Sequence, residues 1–171
     1  MNAGTLISVE EYLHTSYDPD VEYVDGVLVE RNVGKWLHSL IQRNIILALG
    51  RDYPDVLAVP ELRMQIGERR YRVPDICIVL AAPAAEILTE APWVVIEILS
   101  ETDTLSDVLE KLKEYAAFGV PHIWLFDPRL RLMFTYGQNT LKTETEGRLE
   151  TVDPRIELKA EDVFRGVARR G

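Results

Sequence analysis

The chain has 171 residues, 47% hydrophobic and 27% charged, with a formal net charge of −9, which is the profile of a globular protein long enough to bury a core. No apolar run approaches the roughly 20 residues of a membrane span. The single cysteine, Cys77, excludes an internal disulfide and a multi-cysteine zinc site, and the acidic balance argues against nonspecific coating of nucleic acid. The opening "MNAGTLISVEEYLH" lacks the basic region and apolar segment of a signal peptide, so one cytoplasmic domain over residues 1–171 is expected.

Along the chain, "SVEEYLHTS" sets Ser8 as N-cap with Glu11 three residues on, the capping-box pattern of a short helix. "VEYVDGVLVER" alternates about Asp25-Gly26, a strong hairpin signal. "KWLHSLIQRNIILALG" reads as a helix with Trp36, Leu37, Leu40, Ile41, Ile45 and Leu47 inward and Gly50 as its C-cap. "VLAVPELRMQI" and "YRVPDICIVL" read as two strands joined by the turn "GERR", and "WVVIEIL" as a central strand. "SDVLEKLKEYAAFG" is the best helix, with Leu105, Val108, Leu109, Leu112, Tyr115 and Ala116 on one face and Gly119 as a left-handed cap. "HIWLFD" and "RLRLMFTY" are strands about Pro128, and "TLKTETEGRLETV" with "IELKAEDVF" suggests a further hairpin and a closing segment. This order gives an α/β chain of the α+β kind: one central mixed sheet flanked by helices.

The central strand carries an anomaly. Glu97 interrupts the apolar run "VVIEIL", where a lone buried carboxylate is costly. The neighbouring strand begins at Asp75, after Pro74, which cannot donate to a ladder. Two carboxylates brought within a few ångströms repel, and a divalent metal is the usual compensation. Oxygen ligands favour Mg²⁺ or Mn²⁺. The plainer alternative makes Asp75 a strand-end turn residue and pairs Glu97 with a structural Arg or Lys. A basic patch of Arg69, Arg70 and Arg72 with Lys111 and Lys113 would suit a nucleic-acid contact, or is solvated surface charge.

"PD" at 74–75, twenty-one residues, then "EIL" at 97–99 resembles the PD-(D/E)XK nuclease superfamily. The likeness is closer to its restriction-endonuclease branch, long catalogued as a domain of unknown function. The carrying elements are "VPD", "VIEILS", "EKLKEY" and "GVPHIWLFDP", preceded by "VEYVDGVLVE" and His38, in order over residues 8 to 165. A lone "PD" is weak, since Pro19-Asp20 and Pro54-Asp55 also occur; the ordered set is specific. The resemblance implies a restriction-endonuclease-like core, Mg²⁺-dependent hydrolysis of nucleic acid, DNA first, and a homodimer. It further implies that Asp75, Glu97 and the main-chain carbonyl of Ile98 ligate the metal while a lysine orients or deprotonates the attacking water.

That lysine normally stands two residues after the glutamate, where this chain has Leu99. The branch supplies it from the following helix. On a helical wheel Lys111 and Lys113 flank the apolar face about equally, and the family pattern, not the wheel, selects Lys111. Its plain alternative is a surface pair with Asp107. Supporting candidates are Glu22, a supplementary acid or an outward polar residue; His38, a phosphate contact or a structural hydrogen-bonder; and Tyr115, near the phosphate or capping the core. Ser100 is read as a turn residue, Cys77 as core, and Glu110 and Glu114 as solvated. A catalytically inactive binding domain on the same fold is the rival reading.

Overall fold

The computed structural model describes residues 6–31 and 34–168; both ends of the expected 1–171 domain therefore lie outside the described residues. Ser8 caps α1 (Val9–His14), its hydroxyl accepting the Glu11 amide at 3.0 Å. β1 (Val21–Val24) and β2 (Val27–Glu30) form the expected hairpin. Asp25 and Gly26 turn it with positive φ of 51° and 99°, which Asp-Gly tolerates.

α2 (Trp36–Asp52) buries Ile41, Asn44, Ile45, Ala48 and Leu49. Two expectations fail here. Trp36 and Leu47 are exposed, and Gly50 lies inside the helix, which Tyr53 ends. The inward row includes polar Asn44 because its amide donates to the carbonyls of Val163 and Arg165 at 3.0 and 2.8 Å, a satisfied burial that apolar periodicity misses.

The next two expected strands each divide. The first becomes β3 (Leu57–Pro60) and β4 (Met64–Gly67), separated by Glu61 at φ 53°. The second becomes β5 (Arg70–Arg72) and β6 (Ile76–Val79), separated at Pro74. β4 and β5 leave for a second sheet of order β2-β1-β5-β4. The remaining elements are β7 (Val94–Ile98), α3 (Leu105–Phe118), β8 (His122–Asp127), β9 (Leu132–Gly137), β10 (Thr140–Thr143), β11 (Arg148–Glu150), β12 (Glu157–Lys159) and α4 (Ala160–Val163). The central sheet is the expected mixed one, of order β10-β9-β8-β7-β6-β3. Within it β7 and β8 are parallel, joined by the α3 crossover. The expected β10–β11 hairpin does not form: β10 pairs back on β9 and β11 pairs with β12.

Side-chain alternation sorts the central sheet into two faces. Ile76, Ile78, Val94, Ile96, Ile98, Trp124 and Phe126 pack with α2 and the end of the chain. Cys77, Val79, Val95, Ile123 and Leu125 pack with Leu112 and Tyr115 of α3. Glu97 falls in the second set by parity, opposite Leu125. α3 ends at Gly119 as expected; it begins after a Thr104 cap, and Leu105 is exposed. Gly119 holds φ 101°, and a methyl there would meet only Ala91 Cβ at 4.0 Å. Gly119→Ala is thus expected to cost about 1–2 kcal/mol through backbone strain alone. A thermal melt checks it, at roughly 2–4 °C per kcal/mol for a chain of this size.

Candidate functional site

Pairing of β6 with β7 sets Ile76 against Ile96; one further step puts Asp75 across from Glu97 with both side chains on one face. Asp75 Oδ2 accepts the Ile98 amide at 2.7 Å, so the residue beyond the glutamate ties the two strand ends together. His38 Nε2 lies 3.1 Å from Asp75 Oδ1, and the Gln42 side-chain amide donates to the Asp75 carbonyl at 2.9 Å. Burial opposes the Asp75 charge, but the His38 hydrogen bond and charge outweigh it and hold the carboxyl below its ordinary value. Asp75 in turn raises His38 against the effect of burial.

Glu97 is buried on the α3 side and takes two donors from that helix. The Tyr115 hydroxyl donates to Oε1 at 2.6 Å, and Lys111 Nζ lies 3.0 and 3.1 Å from Oε1 and Oε2. Lys111 also reaches Glu22 Oε1 at 2.9 Å, where the Val73 amide donates at 2.9 Å. Burial pushes Glu97 up to about 7; Lys111 and Tyr115 pull it back, while the charges of Asp75 and Glu22 add to the rise. Burial opposes the Lys111 charge, yet Glu97, Glu22 and Asp75 raise it above its ordinary value. The lysine is therefore held protonated. Three carboxylates around it thus favour the ammonium form, which burial alone would disfavour.

Of the two lysines the wheel left tied, Lys111 joins the carboxylates and Lys113 is exposed to solvent. The pair imagined between Lys111 and Asp107 gives way to these contacts. The basic patch also fails to form. Arg72 is buried, bonded to Glu22 at 2.8 Å and Glu114 at 2.6 Å, and Arg70 bonds Glu114 at 2.7 Å and also Asp25. Glu114, expected on a solvated face, is a half-buried link in this chain of charges. Glu22 stays below its ordinary value: burial opposes its charge, but Lys111, Arg72 and the Val73 amide prevail. Ser100 is a turn residue as expected, its amide donating to Asp103 at 2.6 Å, and Cys77 is core, its thiol pushed up by burial.

Glu22, His38, Asp75, Glu97, Ser100 and Lys111 line one cleft of about 310 Å³. Among the described residues no three metal-binding side chains converge as a finished cage. The donor chemistry nevertheless suits a hard divalent cation. Two buried carboxylates face each other, one of them raised by burial to about 7 despite its lysine, with Ile98 in the cleft wall beside them. Such partial protein ligation, completed by water, is how Mg²⁺ is commonly bound.

Residues 9–168 match the model of the Uma2 family, described as "Putative restriction endonuclease". The chain belongs to the Uma2 family. No curated protein matches it. Among solved structures, a protein of Anabaena variabilis ATCC 29413, described as a putative nuclease belonging to DUF820, superposes with a TM-score of 0.75 at 24% identity. The match covers 92% of this chain and 97% of that one, which establishes a shared nuclease-like fold. Membership supports nuclease-like function at family level. Among the described residues no helix is long and apolar enough to cross a membrane.

In and around the Uma2 cleft are groups that sequence reasoning passed over. Gln42 lies four residues after His38 and so shares its helix face; that spacing was a usable signal. Arg31, with a guanidinium nitrogen 3.9 Å from Asp75 Oδ1, and the Arg72–Glu114 pair carried no signal, since sequence does not mark which surface-type charges are buried.

Proposed function

We propose that this Uma2 chain is a divalent-metal-dependent endonuclease that hydrolyses phosphodiester bonds of nucleic acid, with DNA as the first substrate to test, acting as a homodimer. The observation that carries this reading is the meeting of Asp75, Glu97 and Lys111 in one cleft. Asp75, Glu97 and the Ile98 carbonyl would hold Mg²⁺ or Mn²⁺. When bound, such a cation stabilises phosphate charge and acidifies water.

The remaining work falls to side chains. Lys111, kept protonated by its three acids, offsets charge developing on the phosphate and orients water through its N–H groups. Tyr115 and Glu22 fix, respectively, the Glu97 carboxylate and the lysine head. His38 and the Ile98 amide fix Asp75. The Leu99 departure is absorbed: its side chain packs with the α3-side core, and a helix-borne lysine meets the glutamate instead.

Plasmid and oligonucleotide nicking in Mg²⁺ or Mn²⁺, reversed by EDTA, is the direct test. Asp75→Ala is expected to remove nicking while circular dichroism remains unchanged. Metal binding by calorimetry with no nicking of any substrate would favour the inactive binding domain.

A further inference from the structure

We propose that the groove walled by Trp36 is a base-stacking subsite, holding an unpaired nucleobase of the substrate strand beside the phosphate bound at Asp75 and Glu97. This inference rests on the nuclease reading above. The groove has a volume of about 190 Å³ and opens past the carboxyl ends of β7 and β8. Trp36 and Leu37 from the start of α2 form one side, with Leu99 and Ser100 after β7 and Pro128 and Arg129 after β8. His38, Leu99 and Ser100 belong to both this groove and the carboxylate cleft. A strand with its phosphate in the cleft therefore has its neighbouring nucleotide at the groove.

Trp36 is 75% exposed and stands outside the row that α2 buries, so the core does not require it. An indole face is the broadest stacking surface among the side chains and accepts any base. The charge at the rim fits a nucleotide. Arg129 is exposed and makes no ion pair among the described residues, and the first turn of α2 carries no acid. Lys35 pairs with Glu101, but an exposed pair of this kind is weak and easily exchanged for a phosphate. The volume is below the about 300–1,000 Å³ that encloses a drug-sized ligand, which suits one ring system. A base stacked within a duplex has both faces covered, so the occupant is a base in a single strand, at a frayed end or flipped out.

The test is fluorescence anisotropy of the full chain, with Ca²⁺ in place of Mg²⁺, using a labelled single strand of about 12 nucleotides, its duplex, and single strands carrying one abasic position moved along the sequence. The wild type is expected to prefer the single strand. Trp36→Ala is expected to weaken single-strand binding by about 5- to 150-fold, the range that base–aromatic stacking supplies, and Trp36→Phe to retain most of it. One abasic position should reproduce the loss in the wild type and add little in Trp36→Ala, a coupling that a purely structural tryptophan would not show. If the alanine variant does not fold, the abasic scan on the wild type decides. Undiminished single-strand binding by folded Trp36→Ala, no sensitive abasic position, or loss only of self-association overturns the subsite and leaves the nuclease reading intact. A wild type that binds no oligonucleotide overturns both.

Discussion

Lys111→Met is expected to remove Mg²⁺-dependent nicking, by a factor on the order of 10²–10⁴ or more, and also to weaken the fold. Both effects come from one position. Nζ sits 2.9 Å from Glu22 and 3.0 Å from Glu97, so its loss leaves two buried carboxylates facing each other. Breaking a buried charge pair from one side costs about 3–5 kcal/mol. Glu97 relieves part of this by holding its proton, so the variant should lose stability progressively as pH rises.

A double variant separates the two effects. Adding Glu97→Gln to Lys111→Met removes the stranded charge and keeps an oxygen for the Tyr115 hydroxyl, so stability should recover while nicking does not. Such non-additivity is the signature of groups in direct contact. Lys113→Met is the matched control and should change neither property, because Lys113 is exposed. A folded, fully active Lys111→Met protein would remove the lysine from the mechanism.

The second large effect is a pH-dependent gain of stability from a divalent cation. Unfolded, Glu97 ionises near its ordinary value of 4.5; in the metal-free fold, burial raises it to about 7. Its stabilising contribution is thus complete below 4.5 and is lost as pH climbs through about 7. A displacement of that size corresponds to on the order of 3 kcal/mol, or several degrees of Tm. Asp75 behaves oppositely: held below its ordinary value, it contributes stability that is lost on acidification.

A cation bound to ionised Glu97 reverses the alkaline loss. Mn²⁺ is accordingly expected to raise Tm by several degrees at pH 8 and by little at pH 5. Without metal at pH 8, Glu97→Gln should melt above the wild type, and Mn²⁺ should shift it little. Scanning fluorimetry in EDTA and in Mn²⁺ at both pH values reads this directly. An equal increment at the two pH values, or in Glu97→Gln, would dissociate the cation from this carboxylate.

What the sequence made legible was local. Asp25-Gly26 specifies its turn through backbone tolerance of positive φ. Gly119 closes α3 through its left-handed cap, and Glu97 announced itself by being wrong for its strand. What stayed hidden was pairing across distance. Nothing local says that Glu61 takes φ 53° and so sends β3 and β4 into different sheets, or that β10 turns back onto β9.

The Lys111–Lys113 ambiguity had the same origin. Both lie symmetrically about the apolar stripe of α3, and the tie is broken by Glu22, which sits on β1, some ninety positions earlier. Arg72 was misjudged because its two acids come from β1 and α3, neither adjacent in sequence. Charges settle in an interior through partners, and those partners are a property of the fold.

The break at Val73-Pro74 has a consequence of its own. There the chain steps from the four-stranded sheet to the six-stranded one, and Glu22, from the first, clasps both the Val73 amide and the lysine that serves Glu97 in the second. The cleft is a seam, and its geometry reports how well the two sheets are seated against each other. A fragment starting after β2 would keep Asp75, Glu97 and Lys111, the whole recognisable signature, and still lack the clasp that sets the lysine in place.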